Sequence, residues 1–307
     1  MLSFKKSDFL IACVKNGIHD GKQIYYHDKV IDNKINNGDV YEMLGEDYVR
    51  KHKKKMTVTE LKKLQKSLQE NESIDDNEMY NKVHEQLKNK NSKCIKIFDD
   101  GVIVATPNMN VSAYEKARHQ LIAGPTGSGK SYKIAQYLNA ILKPNSKKNI
   151  FLFSDVESDE VLDRFKSLKR IMLNNELIDS PIQPHELENS ICIFDDIDSI
   201  SDKKLKSNVE TLLDSLLKRG RHEGIEIICT SHLLTDYKRT RVILSEVSFI
   251  TLFCRSGSSN SINYLLSKYV GLSKKQISDI FNLPTRSVTI YTHYPQMVIS
   301  DKEIYIL

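Results

Sequence analysis

The stretch HQLIAGPTGSGKSYKIAQYLNAIL, residues 119–142, joins an apolar run to an amphipathic run through a glycine-rich loop. The run HQLIAG (119–124) is typical of a buried strand, and the residues from Ser131 to about Leu142 repeat apolar positions with the period of a helix. The loop between them, GPTGSGKS (124–131), matches the pattern G-x-x-x-x-G-K-[ST] at every fixed position. A strand, this loop and a helix in this order predict a site for the phosphates of a nucleotide.

The residue types of this phosphate loop (124–131) determine its chemistry. Gly127 and Gly129 allow the backbone to wrap tightly, so that successive N–H groups and the N-terminus of the next helix face the phosphates. Lys130 reaches the β- and γ-phosphate oxygens, and Ser131 coordinates magnesium. We therefore predict ATP and Mg²⁺ as ligands. The predicted nucleotide-binding residues are Gly124, Pro125, Thr126, Gly127, Ser128, Gly129, Lys130 and Ser131.

A second signal is ICIFDDIDSI (191–200), in which four apolar residues precede Asp195 and Asp196. Ligands bind at the carboxyl ends of the strands in open α/β sheets. Behind a phosphate loop, the pair is typical of a Walker B motif: Asp195 would hold magnesium through water, and Asp196 would orient or deprotonate the attacking water. Taken alone, the pair could equally be a helix-capping turn. Asp198 is expected to cap the next helix.

The order of elements predicts the fold class. Apolar strands alternate with amphipathic helices, which favours an α/β fold with a mainly parallel central sheet flanked by helices. Two runs on either side of the turn DDG (99–101) are also typical of strands, and they predict a hairpin. The further strands are NIFLFS (149–154) and IEIICTS (225–231), and the further helices are expected around 158–168 and 203–218.

The strand that follows the Walker B candidate should lie beside the phosphate-loop strand. The end of IEIICTSH (225–232) then places Thr230, Ser231 and His232 near the γ-phosphate, which suits a polar sensor. His232 is the predicted catalytic member of this group, with Lys130 and Asp196.

A basic cluster lies ahead of the same strand, in LLKRGRHEG (216–224). It is too far from its own nucleotide to reach it across the sheet, but it could reach the site of a neighbouring subunit. Arg219 or Arg221 is therefore a candidate arginine finger acting in trans, which implies an oligomer. The alternative is a charged helix terminus, with arginine paired to Glu223 or Asp214.

Composition bounds the class of protein. The chain has 307 residues, a formal charge of +5 and a sequence pI near 8.7, which permits a polyanion partner without requiring one. The five cysteines lie far apart without a C-x-x-C pair, and two of them fall in apolar runs typical of strands, as expected of reduced, buried thiols. No apolar run approaches the length of a membrane span, and the first residues do not resemble a signal peptide, so we expect an intracellular protein without membrane insertion.

The sequence divides near Cys94 into two predicted parts. Residues 1–93 are expected to be a mostly helical accessory region of unknown function, and residues 94–307 the P-loop ATPase domain. Within the first part, TVTELKKLQKSLQENE (57–72) carries a capping box and an apolar helical face, and a second helix is predicted from 79 to 87. The basic run 50–55 could contact nucleic acid or form a solvated face.

The segments LIAGPTGSGKS (121–131), ICIFDDID (191–198) and KRGRHEGIEIICTSH (218–232) together resemble the FtsK/HerA superfamily of DNA-pumping ATPases. The resemblance is specifically to the poxvirus-type DNA packaging ATPases of large DNA viruses, and it covers roughly 95–307. It implies a RecA-like P-loop fold, with a C-terminal segment in which a helix and a strand precede a helical pair and a final hairpin. His232 stands where cellular relatives often have Gln, and Asp196 where this class more often has Glu.

The resemblance also implies partners. Members form homo-oligomeric rings that act on double-stranded DNA, and the viral members fill capsids with genome, so capsid or portal-vertex proteins are expected partners. The expected location is the host cytoplasm or a viral factory, and also the virion. Candidate DNA contacts are Lys238, Arg239 and Arg241, which could instead cover a solvent-facing surface.

Three alternatives remain open at this stage. The catalytic core does not distinguish packaging from another FtsK/HerA-type translocase or helicase-like motor. A phosphoryl transferase also uses a phosphate loop, but it needs an acceptor pocket and an arginine-rich lid. A nucleotide-gated scaffold would bind ATP without hydrolysis, and the intact Lys130, Ser131, Asp195 and Asp196 argue against it.

Overall fold

Six parallel strands form the centre of the fold in the computed structural model, which describes residues 2–4, 6, 9–27, 94–106, 119–142, 148–232 and 237–307. The strands are β1 (Leu2–Ser3), β2 (Phe9–Lys15), β3 (Gln23–Tyr26), β4 (Cys94–Lys96), β5 (Val102–Ala105), β6 (Gln120–Ala123), β7 (Ile150–Ser154), β8 (Leu168–Met172), β9 (Ile191–Phe194), β10 (Glu226–Ser231), β11 (Phe249–Leu252), β12 (Val288–Tyr291), β13 (Met297–Ile299) and β14 (Glu303–Ile306). The helices are α1 (Lys130–Ile141), α2 (Glu176–Asp179), α3 (Lys203–Arg219), α4 (Tyr237–Glu246), α5 (Ser259–Lys268) and α6 (Lys274–Phe281).

The strand order confirms the predicted α/β class. Within the described residues, the large sheet runs β4-β14-β13-β12-β11-β6-β10-β9-β7-β8, and the strands from β11 to β8 are parallel. Strand β10 lies between the phosphate-loop strand β6 and the Walker B strand β9, as predicted. The register pairs Ser231 with Ala123 and Cys229 with Phe194, so the carboxyl ends of all three strands meet at one edge.

Helices cover both faces of the parallel strands. Helix α1 buries Ile134 and Leu138 on one face, together with apolar side chains of β7 and β9. The other face is covered by α3 to α6, whose buried residues form one large core with β6, β9, β10 and β11. Helix α3 begins where the Asp202 side chain accepts a hydrogen bond from the backbone N–H of Leu205 at 2.8 Å, so the predicted cap Asp198 was wrong. No helix in the described ranges is long and apolar enough to cross a bilayer.

The C-terminal residues extend the large sheet with antiparallel strands. Strands β12, β13 and β14 form a meander, and β4 pairs with β14 at its edge. The helix, strand and helical pair that the resemblance implied are present as α4, β11, α5 and α6. The implied final hairpin is therefore part of a three-stranded meander.

A second, four-stranded sheet in the described residues has the order β1-β3-β2-β5. Its buried residues Ile11 and Ile24 pack with Phe249, Met297 and Ile304 of the large sheet. Because β5 pairs with β2, this small sheet contains strands from both sides of the predicted boundary at Cys94. The described part of the accessory region thus forms strands, which the sequence had not predicted. The predicted helices within 57–72 and 79–87, and the basic run 50–55, lie outside the described residues.

The predicted hairpin around DDG was wrong. Its two strands separate: β4 pairs with β14 of the large sheet, and β5 pairs with β2 of the small sheet. The turn itself is held by side-chain hydrogen bonds. The carboxylate of Asp99 accepts from the backbone N–H of Gly101 within the turn at 2.9 Å and from that of the distant Ile18 at 2.6 Å. The Lys302 ammonium also donates to the carbonyls of Asp99 and Gly101, at 2.7 and 2.8 Å.

The predicted helix around 158–168 was also wrong, since the structure has turns there and then strand β8. The carboxylate of Asp159 accepts from the N–H groups of Val161 and Leu162, both at 2.8 Å, which supports a single turn. Arg170 of β8 then donates to the Val156 carbonyl at 2.8 Å and contacts the carboxylate of Asp163. These side-chain bonds compete with the bonds of a continuous helix.

Candidate functional site

The phosphate loop leaves β6 at the edge where the strand ends converge. The N–H of Gly124 donates to the Ser231 carbonyl of β10 at 3.0 Å, and this bond fixes the start of the loop. Gly127 and Gly129 have φ angles of +74° and +109°, which glycine adopts without the steric cost of a side chain. A β-carbon on Gly124 would lie 2.6 Å from the buried ring of Phe253. The positive φ angles therefore agree with the predicted need for glycine at positions 127 and 129. The close approach of Phe253 requires glycine at position 124 as well.

Lys130, at the start of α1, joins the loop to the acidic pair. Its side chain is only 8% exposed, and the ammonium lies 3.1 Å from the carboxylate of Asp196. The same ammonium donates to the Gly124 carbonyl at 3.1 Å and lies 3.2 Å from Nδ1 of His232. The structure thus brings together three of the predicted catalytic residues, at the mouth of the phosphate loop.

Thr230, near the end of β10, contacts both aspartates. Its hydroxyl lies 2.8 Å from Asp195 Oδ1 and 3.0 Å from Asp196 Oδ1, and it accepts from the N–H of Asp196 at 2.8 Å. The hydroxyl carries one hydrogen, so it donates to one carboxylate at a time. Asp196 has a φ of +46°, in the left-handed region that costs energy for a residue with a side chain. The two carboxylates are therefore held in one orientation by their backbone and by Thr230.

The surroundings of Asp195 shift the pKa of its carboxyl group. Burial raises the pKa of the Asp195 carboxyl above its ordinary value, and the hydrogen bond from Thr230 lowers that pKa by a smaller amount. The nearby charge of Asp196 raises it further, and that of Lys130 lowers it. A carboxylate in this position gains from a cation nearby, because the cation stabilises its charged form.

His232 bridges the other two catalytic candidates. Its Nε2 lies 2.5 Å from the Asp196 carboxylate, and its Nδ1 faces the Lys130 ammonium. The neutral tautomer with a proton on Nε2 satisfies both contacts, because Nε2 donates to Asp196 while Nδ1 accepts from Lys130. Ser231, its neighbour, instead donates to the carboxylate of Asp198 at 2.9 Å.

The residues at this edge fit a nucleotide with a magnesium ion. The hydroxyl of Ser128 is buried and has no hydrogen-bond partner among the described residues. A hydroxyl in a phosphate loop is able to donate to an oxyanion such as a phosphate oxygen. Ser131 and Asp195 supply the oxygen ligands that magnesium prefers, and magnesium is commonly bound by one or two such groups together with substrate phosphates. The ligand set predicted from the sequence is therefore chemically suitable.

Arg219 and Arg221 lie at the other end of β10. This strand has six residues, and a strand of that length spans roughly 20 Å, so neither arginine reaches the phosphate loop of its own chain. Arg219 is exposed in the last turn of α3, and Arg221 is half-buried in the turn that follows, with its Nε 3.4 Å from Nε2 of His222. The assignment of either arginine to the site of a neighbouring subunit stays a prediction.

The DNA-contact candidates lie on α4. Arg241 is exposed, while the side chains of Lys238 and Arg239 are outside the part of the chain that is described. Of the five cysteines, Cys13, Cys192 and Cys229 are buried and Cys94 and Cys254 are half-buried, and none forms a disulfide within the described residues.

One residue at the site was missed from the sequence. Arg286, in the turn before β12, donates from its guanidinium to the carbonyl of Gly127 at 2.8 Å. Nearby, Asp301 pairs with Lys133 in the first turn of α1 at 2.7 Å. No motif marks either contact, because the partners are more than 150 residues apart along the chain.

Comparison with known proteins agrees with this geometry. Residues 119–226 match the family model of the AAA domain, dynein-related subfamily. With its phosphate loop, Walker B strand and mixed, mostly parallel sheet, the chain contains an AAA-type P-loop ATPase domain.

One relative is a viral protein. The uncharacterized protein V3 of Sputnik virophage is 38% identical over 179 residues, which cover 58% of this chain and 72% of that protein. The chain belongs to the same protein family as V3.

Similar solved structures include two viral proteins and one conjugation protein. The genome packaging NTPase B204 of Sulfolobus turreted icosahedral virus 2, in complex with AMPPCP, is 13% identical, and the match covers 61% of this chain and 98% of that one with a TM-score of 0.40. The DNA-packaging ATPase B204 of Sulfolobus turreted icosahedral virus is 18% identical, with 62% and 97% coverage and a TM-score of 0.42. The pCW3 conjugation coupling protein TcpA is 14% identical, with 70% and 66% coverage and a TM-score of 0.41. At scores of this size the overlap is partial, and the fold assigned above follows from the strand order of this chain.

Proposed function

We propose that the protein is a magnesium-dependent ATPase that moves double-stranded DNA, and that its task is to package a viral genome into a capsid. The observation that carries the ATPase part is the network of Lys130, Asp196 and His232 between the phosphate loop and the Walker B strand. It supplies a cation for the phosphates, a carboxylate for the attacking water and a polar group that contacts both.

The chain's own residues suggest how ATP enters this network. In the structure, the Lys130 ammonium is paired with Asp196. The negative charge of a triphosphate competes for that ammonium, so nucleotide binding would transfer Lys130 from the carboxylate to the phosphates. Asp196 would then be free to orient and deprotonate a water molecule. A magnesium ion at Ser131 and Asp195 supplies charge stabilisation for the phosphate oxygens when it is bound.

His232 would hold Asp196 in place after this exchange. Its Nε2 contact to the carboxylate does not depend on Lys130, so the orientation of Asp196 is kept while the ammonium moves. Thr230 contacts the same carboxylate from β10. Both residues are therefore assigned to orienting the base rather than to proton transfer.

The position of Arg219 and Arg221 supports assembly into a homo-oligomeric ring. Neither residue reaches its own site, and an arginine supplied by a neighbour would stabilise the charge on the transferring phosphate, with an effect of about a thousandfold or more on turnover. The site of each subunit would then be complete only in the ring.

DNA as the substrate rests on the FtsK/HerA resemblance and on the basic balance of the chain. Contacts to phosphates rather than bases suit a motor, because base-specific contacts would stall it. Lys238, Arg239 and Arg241 are the proposed contacts. Packaging is favoured over another translocase or helicase-like task by the poxvirus-type resemblance and by the family shared with a virophage protein. On this proposal the partners are capsid or portal-vertex proteins, and the protein acts in the host cytoplasm, a viral factory or the virion.

The first experiment is phosphate release by the purified protein with magnesium and ATP, with and without long duplex DNA, across a range of protein concentrations. A DNA motor built as a ring should turn over faster with duplex DNA, and its specific rate should rise with protein concentration. A slow rate that is indifferent to both would reject the motor.

The trans arginine needs a separate test. Arg219→Ala and Arg221→Ala proteins should bind ATP but turn it over slowly, and mixing either with Lys130→Ala protein should restore activity, because each subunit type donates what the other lacks. Lys218→Ala, which removes a neighbouring exposed charge, is the matched control. Mixed assemblies that recover no activity would contradict the assignment.

A further inference from the structure

Arg286 contacts the backbone of the phosphate loop. Its guanidinium donates to the Gly127 carbonyl at 2.8 Å, and its central carbon lies 3.8 Å from the position that a β-carbon on Gly129 would take. The N–H of the same peptide, that of Ser128, donates to the Pro125 carbonyl at 3.1 Å. The contact from Arg286 therefore completes the hydrogen bonds of a peptide in the middle of the loop.

The turn that carries Arg286 is fixed to the fold on both sides of this residue. Its neighbours Thr285 and Ser287 are buried, although Arg286 itself is exposed. The Thr285 hydroxyl lies 2.9 Å from the Ser287 carbonyl and 3.4 Å from the carboxylate of Asp301. Asp301 in turn pairs with Lys133 of α1 at 2.7 Å. Both Arg286 and Asp301 thus tie the C-terminal strands to the phosphate loop and its helix.

The loop needs such a tie because of its glycines. Gly127 and Gly129 both have positive φ angles, and a chain segment with two glycines has many other conformations available. Holding one residue in a single backbone conformation costs roughly 1–2 kcal/mol of conformational entropy. If a contact already orders the loop in the nucleotide-free protein, part of this entropy is lost on folding. Nucleotide binding then costs correspondingly less entropy.

We infer that Arg286 is a positioning residue for the nucleotide: it holds the phosphate loop in its binding conformation through the Gly127 carbonyl. This inference rests on the proposed binding of ATP. Arg286 acts on affinity rather than on the chemical step, because it contacts the loop and not the reacting atoms. Its positive charge also adds to the attraction of the site for an anion.

The test compares three variants with the wild type by equilibrium binding of a fluorescent ATP analogue and by the KM and kcat for ATP. Arg286→Ala should weaken binding about tenfold and raise KM to match, since a hydrogen bond that involves a charged group is of this strength, with kcat kept within about twofold. Arg286→Lys should lie between, because lysine keeps the charge and loses the planar fork. The matched control is Arg255→Ala, since Arg255 is also exposed and lies 3.4 Å from a backbone carbonyl, that of Leu283.

The possible outcomes distinguish a failure of this inference from a failure of the proposed ATP binding on which it rests. If the wild-type protein does not bind the analogue, the proposed binding of ATP is itself contradicted. Wild-type protein that binds it, with Arg286→Ala equal to wild type or to Arg255→Ala, would overturn the positioning role alone. A fall in kcat at unchanged affinity would also overturn it. Thermal unfolding of each variant is measured alongside, and a loss of affinity that merely follows a lower unfolding midpoint counts against the inference.

Discussion

Asp196→Asn should make the protein bind ATP more tightly while it abolishes hydrolysis. In the structure, the Asp196 carboxylate holds the Lys130 ammonium at 3.1 Å, and ATP has to displace it. Asparagine keeps the shape and the contact to Thr230 but removes the charge that competes with the phosphates. Loss of the base should stop turnover.

The expected gain in ATP affinity follows from the distance and the burial of the ion pair between Lys130 and Asp196. At 3.1 Å and an effective dielectric constant of about 20, the two charges attract by about 5 kcal/mol before any cost of desolvation. The Asp196 side chain is 20% exposed, and Lys130 keeps the Gly124 carbonyl as a partner, so the net contribution is closer to about 1 kcal/mol. ATP should therefore bind about fivefold more tightly to Asp196→Asn than to the wild type.

The assay is titration with a fluorescent ATP analogue, paired with phosphate release. Asp198→Asn is the matched control, because Asp198 lies in the same loop and binds Ser231 rather than Lys130. It should keep the wild-type affinity. Weaker binding by Asp196→Asn, or an equal gain in both variants, would refute the competition, and retained hydrolysis would show that Asp196 is not the base.

Three further predictions concern the aspartate beside it, the loop glycines and the substrate. Burial raises the pKa of Asp195, so the folded protein holds this proton to higher pH than the unfolded chain, and ionisation of Asp195 destabilises the fold as pH rises above about 4. Asp195→Asn should then raise the thermal unfolding midpoint of nucleotide-free protein at pH 7, and the gain should vanish near pH 4. Gly124→Ala should cost about 1–3 kcal/mol in chemical denaturation, because its β-carbon meets Phe253 at 2.6 Å. Gly127→Ala, with open space but a positive φ, should cost only about 1 kcal/mol, and the reverse order would contradict the steric argument. Finally, stimulation of phosphate release by duplex DNA should fall steeply between about 50 and 200 mM salt, and a salt-insensitive rate would argue against phosphate contacts.

The centre of the fold could be predicted because its signals are local. Five of the six parallel strands, all except β8, are short apolar runs that the sequence shows directly, and Gly127, Gly129 and Lys130 mark the phosphate loop. The position of β10 beside β6 followed from the order of elements alone. Those local signals also placed Thr230 and His232 at the correct edge of the sheet.

The remaining errors come from contacts between distant parts of the chain. Strand β5 pairs with β2, and Asp99 binds Ile18, so no neighbouring residue could show that the predicted hairpin opens. The same holds for Arg286, whose partner in the phosphate loop lies 159 residues earlier. Propensity alone also favoured a helix around 158–168, where side-chain bonds such as those of Asp159 favour a turn.

The placement of β10 has a consequence for timing. At one end of this strand, Thr230 contacts Asp196, the proposed general base of the same subunit. Just ahead of the other end lie Arg219 and Arg221, which are proposed to serve a neighbouring subunit. The strand is hydrogen-bonded on both sides, to β6 and β9, so one continuous central strand joins the two ends. In the proposed ring, the subunits would then act as a relay in which each turnover prepares the next. A subunit that cannot hydrolyse ATP itself would still complete its neighbour's site through its arginine, so a ring that contains one such subunit would slow without stopping.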